Sequence, residues 1–184
     1  MRVSDEDRIR WDGRYGQGDP PFDDDVALPA AFRPYADLFP HSGSALDVAC
    51  GRGVLSVWLA LRGLTVRGID VSGVAIGAAR ALALRHAVGP RCRFDTVDLD
   101  GGLPAGDPVD LLCCIRFRNT ALYPQMMERL APGGLLAISV LSEVGGTPGD
   151  FRARPGELTQ AFGALKVLAT GESNGEAWLL ARRA

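Results

Sequence analysis

Leu46-Asp47-Val48-Ala49-Cys50-Gly51-Arg52-Gly53 decides the fold. A short apolar strand ends at a carboxylate and breaks into a tight glycine turn, and a helix pattern (Val54, Leu55, Trp58, Leu59) follows at once. Glycines in such a strand-to-helix turn let the backbone approach a nucleotide-type ligand closely at the helix N-terminus. A second acidic residue, Asp70, closes the next apolar run, Val66-Arg67-Gly68-Ile69-Asp70, at the spacing where a ribose diol is gripped.

Asp47 selects among nucleotide ligands. A pyrophosphate is repelled by a carboxylate at the strand end, whereas S-adenosylmethionine brings a cationic sulfonium and an ammonium. The stretch Ala45 to Ser72 resembles motifs I and II of class I S-adenosylmethionine-dependent methyltransferases. Trp11-Asp12-Gly13-Arg14-Tyr15, Val97-Asp98-Leu99, Leu130-Ala131-Pro132-Gly133-Gly134 and Arg154-Pro155-Gly156-Glu157-Leu158 are similar to the small bacterial branch containing tellurite-resistance and thiopurine methyltransferases. One departure is Ala49, which replaces the first of the three glycines common in that turn; Val54 follows the last.

The 184 residues, 47% hydrophobic and 23% charged, fit a single domain with a substantial core. We expect residues 1–40 to form a helical cap and residues 41–184 a Rossmann-like core. The charged start MRVSDEDRIRW and the lack of a long apolar run predict a cytoplasmic protein with no membrane partner. A net charge of −2 lacks the basic footprint of a nucleic-acid binder, so small-molecule substrates are expected. The four cysteines have no metal spacing, and no metal is expected. Nothing in the sequence bears on the oligomeric state.

Ser4 and the acidic run Asp5-Glu6-Asp7 predict a short helix to about Tyr15, then a loop over Gly16 to Asp25. A second helix, started or interrupted by Pro29 and Pro34, runs to Phe39. Alternating periodicities predict strands at 45–49, 66–70, 92–97, 110–115 and 134–141, and helices at 53–62, 73–87, 120–131 and 156–163. Residues 164–171 and 177–182 flank an Asn-Gly pair, a hairpin signal. The expected fold is α/β: a three-layer, doubly wound, mostly parallel seven-stranded sheet with a C-terminal antiparallel hairpin.

The resemblance implies cofactor contacts for Asp47, Ala49, Gly51, Gly53, Asp70, Val71, Asp98 and Leu99. Asp47 lies near the methionine ammonium, Asp70 accepts from both ribose hydroxyls, Val71 covers the adenine, and Asp98 accepts from its exocyclic amine. Asp98 also suits a turn role before Gly101-Gly102. Trp11, Arg14 and Tyr15 either staple the cap by packing or close over the methionine end. In the second case Arg14 meets the carboxylate and Trp11 the sulfonium.

Arg116, Arg118, Arg152 and Arg154 follow the fourth and fifth strands and suit an anionic or oxygen-rich acceptor, unless they are solvated surface. His41 and His86 lie away from the turn, so no general base is identified. A soft acceptor atom such as sulfur, selenium or tellurium needs positioning more than proton abstraction. The expected activity is methyl transfer from S-adenosylmethionine to a small nucleophile by in-line displacement. A non-catalytic S-adenosylmethionine sensor and an NAD-dependent oxidoreductase stay open as alternatives.

Overall fold

Strand β1 (Ser44–Val48) is buried along Ala45–Val48, the burial of a parallel strand covered on both faces. The computed structural model to which it belongs describes residues 3–16, 26–149 and 151–184. The predicted loop at 17–25 lies outside the described residues. Helix α1 (Val3–Gly16) is followed by a 3-10 helix at Ala30–Leu38, kinked at Tyr35 because Pro34 inside it has no backbone N–H to donate.

Seven strands are divided between two compact units, Met1–Pro104 and Ala105–Ala184, in the order β3-β2-β1 in the first and β4-β5-β7-β6 in the second. In the first unit β1, β2 (Thr65–Asp70) and β3 (Cys92–Thr96) pair in parallel. They are joined by α2 (Val54–Leu61) and α3 (Gly73–Arg85). The apolar sequence of α2 buries Leu55, Val57 and Leu59, and the Ser72 hydroxyl caps α3 by accepting from the Ala75 N–H at 3.1 Å. Phe32, Phe39, Leu46, Leu59, Leu64, Ile69 and Ile76 fill this unit's core. Each is worth roughly 1.5–3 kcal/mol of transfer free energy.

In the second unit β4 (Val109–Ile115) pairs in parallel with β5 (Leu130–Leu141). Strand β7 (Glu176–Arg182) runs antiparallel to β5 and forms a hairpin with β6 (Lys166–Ser173). Asn174 and Gly175 at its turn have φ of 52° and 79°, as a type I′ turn requires. Helix α4 (Tyr123–Arg129), after a 3-10 turn at Thr120–Leu122, is shorter than the sequence predicts, and β5 starts earlier. Leu130 already pairs with Val109, and the register slips before Leu111 meets Leu135. Gly133, at φ 77°, lets the strand bulge past Pro132. Helix α5 (Glu157–Ala161) is a single turn and a half. No helix among the described residues is long and apolar enough to cross a membrane.

Candidate S-adenosylmethionine site

Strands β1 and β2 carry two carboxylates into a dry environment. Asp47 is 2% exposed, and its Oδ2 accepts from the Ser56 hydroxyl at 2.6 Å. Burial pushes its carboxyl up to about 7; the charge of Asp70 adds to this, and the Ser56 hydroxyl and amide oppose it. Asp70, also buried, accepts from the Gly51 N–H through Oδ2 at 2.8 Å and from the Ser72 N–H through Oδ1 at 2.9 Å. Burial raises its carboxyl above the usual range, while those backbone bonds hold it down. Neither carboxylate forms an ion pair with a basic side chain among the described residues.

The turn between β1 and α2 is built from left-handed residues. Ala49, Gly51 and Gly53 have φ of 54°, 53° and 77°. A β-carbon on Gly53 would lie 2.7 Å from the Ala79 Cβ, so the position needs glycine for space as well as for conformation. Ala49 holds a conformation that costs an L-residue roughly 1–2 kcal/mol. The glycine it replaces in the family pattern would take that conformation without strain. Burial, then Asp47 and Asp70, push the Cys50 thiol far above its ordinary range, which makes it a poor nucleophile.

Helix α1 meets this turn. The Asp12 Oδ1 accepts from the Ser72 hydroxyl at 2.5 Å, and an Arg52 N–H donates to the Tyr15 carbonyl at 2.8 Å. The Tyr15 hydroxyl lies where a β-carbon on Gly51 would approach it to 3.0 Å. Burial raises the Tyr15 phenol, and Asp70 adds to it. Trp11 stacks on Tyr15 at 5.7 Å between centroids, with the Arg14 guanidinium 5.1 Å from the Trp11 ring.

Val71 is half-buried and Leu99 buried. The exposed Asp98 caps the 3-10 turn Leu99–Gly101, its Oδ1 accepting from the Asp100 N–H at 2.9 Å. That bond is the turn role the sequence offers for Asp98, and it leaves the carboxylate with further acceptor sites.

The four arginines have different surroundings within the second unit. Arg118 donates twice to Glu157, at 2.8 Å to each carboxylate oxygen, and Tyr123 donates to the same carboxylate at 3.3 Å. Arg152 donates to the Ser142 carbonyl at 2.8 Å and to that of Gly175 at 3.4 Å, fastening the loop after β5 to the β6–β7 turn. Arg154 is exposed. Arg116 is left-handed at φ 56°, and its guanidinium lies 3.5 Å from Glu176. His41 meets an Arg62 guanidinium nitrogen at 2.8 Å, and His86 caps α3.

Residues 45–134 match a family model described as a methyltransferase domain. That match spans just under half of the chain. The ribosomal protein L11 methyltransferase of Shewanella halifaxensis is 38% identical over 103 residues, covering 52% of this chain and 33% of that protein. The chain thus spans about a third of that curated relative. Among solved structures, TehB from Haemophilus influenzae aligns with a TM-score of 0.75 at 20% identity, over 86% of this chain and 63% of that one. The magnesium protoporphyrin IX methyltransferase of Synechocystis, solved with bound S-adenosylmethionine, aligns at 0.70 and 21% identity over 100% and 98%. At these identities the likeness to the solved structures is one of fold.

Sequence reasoning gave no role to Ser56 or Ser72, nor to Asp12 and Glu157, which it quoted only as members of longer motifs. Ser56 had a signal: a lone hydroxyl inside the apolar run Val54 to Leu61. The bond between Glu157 and Arg118 had none, because the two are 39 residues apart.

Proposed function

We propose that this protein is an S-adenosylmethionine-dependent methyltransferase acting on a small nucleophile. The observation that carries it is the pair of buried carboxylates, Asp47 and Asp70, beside a turn whose glycines leave its backbone bare. Two desolvated acids without basic partners fit a ligand that brings its own cation and hydroxyl donors, and they disfavour a pyrophosphate.

S-adenosylmethionine, when bound, supplies a methyl group on a sulfonium that a nucleophile takes by in-line displacement. Asp70 has spent one acceptor site on each oxygen, and the remaining sites are suited to the ribose hydroxyls. Asp47 serves the ammonium, Val71 and Leu99 the adenine, and the remaining acceptor capacity of Asp98 its exocyclic amine. Ala49, Gly51 and Gly53 offer backbone. Trp11 and Arg14, already stacked on each other, serve the methionine end. Arg154, which is exposed, and Arg116, whose side chain is 68% exposed and pairs with Glu176 only at 3.5 Å, are the better candidates for an anionic acceptor, since the polar heads of Arg118 and Arg152 are held in short hydrogen bonds to protein partners. The names of the curated relatives point in different directions, to a ribosomal protein, a ribosomal RNA and ubiquinone biosynthesis, and the shared region covers too little of them to transfer an acceptor.

Calorimetric titration with S-adenosylhomocysteine and NAD tests the ligand, and binding of NAD alone overturns the proposal. Single-turnover methyl release against thiols, thiopurines, selenite, tellurite, phenols and small carboxylates then separates an enzyme from a sensor.

A further inference from the structure

We propose that Ser56 is a positioning residue for the cofactor's ammonium, acting through Asp47; this rests on the functional reading above. Ser56 lies in the first turn of α2, fully buried, where a hydroxyl has no favourable reason to be unless it is bonded. Its hydroxyl donates to the Asp47 Oδ2 at 2.6 Å, the length of a charge-assisted bond to a carboxylate.

The bond does two things. It fixes the Asp47 side chain against α2, and it favours the ionised form that an ammonium needs. The titratable groups acting on Asp47 are Asp70 at the end of β2, Cys50 in the turn and Cys92 on β3; none of them supplies a positive charge. Ser56 is therefore what keeps Asp47 usable near neutrality. Without it, burial and Asp70 hold the proton on Asp47 to higher pH, and an ammonium meets a neutral acid.

The test uses two probes on the full chain. S-adenosylhomocysteine carries the ammonium, and 5′-methylthioadenosine has the same nucleoside without it. Ser56→Ala is expected to weaken S-adenosylhomocysteine binding at pH 7 by about tenfold, the loss of one hydrogen bond to a charged group. The pH midpoint of binding moves upward, affinity for 5′-methylthioadenosine stays unchanged, and Ser56→Thr restores the parent behaviour. Equal weakening of both probes, or an unmoved midpoint, overturns the role of Ser56 and leaves it a packing residue. Failure of the parent protein to bind either probe overturns the functional reading, and the inference with it.

Discussion

At the scale of a residue, Asp70 joins a proposed role to an observed one. The proposed role is to accept from the ribose hydroxyls; in the fold it satisfies the Gly51 and Ser72 amides, which tie the glycine turn to β2. Asp70→Ala should therefore weaken S-adenosylhomocysteine by roughly ten- to a hundredfold and also lower the melting temperature, because two amides lose their acceptor. Unchanged affinity in calorimetry removes Asp70 from the site. Ala49 gives the opposite kind of prediction. Its left-handed backbone costs roughly 1–2 kcal/mol, while glycine there costs the fold roughly 0.5–1 kcal/mol of extra chain entropy. Strain outweighs entropy, so Ala49→Gly should stabilise by up to about 1.5 kcal/mol in urea unfolding. Asp47 predicts a pH dependence. Its folded carboxyl sits at about 7, above its unfolded value, so the folded state binds more protons between roughly pH 4 and 7. Its contribution to stability is full below that window and is lost as pH rises through it. Urea midpoints between pH 5 and 7.5 should fall more in the parent than in Asp47→Asn; parallel curves refute this.

At the scale of an element, Glu157 anchors the start of α5 to the segment after β4. Bonding to Arg118 holds its carboxyl below the usual range, so this contribution is present above the unfolded value and lost as pH falls through the folded one. Both side chains are mostly shielded from water, and removing one strands the other. Glu157→Ala should cost roughly 1.5–3 kcal/mol, the loss of hydrogen bonds to a charged group, read as a fall in the unfolding midpoint. A loss below about 0.5 kcal/mol would mark it as an ordinary surface pair. Elements also show what the sequence tells and what it hides. The turn after β1 and the Asn174-Gly175 hairpin are legible because glycine and asparagine there answer a purely local demand on φ. The start of β5 is not, since Pro132 and Gly133 look like punctuation until the Leu130 pairing with Val109 shows that the strand bulges past them. Partners distant in sequence hide for the same reason, and so Arg118 and Arg152 read as free cations before Glu157 and the Ser142 carbonyl come into view.

At the scale of the molecule, every residue proposed for the cofactor belongs to the unit Met1–Pro104, and the arginines proposed for the acceptor belong to Ala105–Ala184. Ligand binding stabilises most where its contacts lie. S-adenosylhomocysteine should slow amide exchange in α1, β1, β2 and the turns between them more than in the β6–β7 hairpin. Equal protection of both, or none in α1, contradicts the assignment and leaves α1 only its packing role. The candidate site was legible to the extent that its carboxylates end apolar strands; the partners that hold them, the Ser56 hydroxyl for Asp47 and the Gly51 and Ser72 amides for Asp70, were not, because a lone serine in an apolar helix and a backbone amide carry no label of what they bond. The burial of Asp47 has one more consequence, for heat. If about half of the free acid still carries its proton at pH 7 and the bound one gives it up to meet an ammonium, then association expels about half a proton per molecule into the buffer. The calorimeter would then record the buffer's own enthalpy of ionisation along with the binding. The same titration run in phosphate and in Tris would give two different heats for one affinity.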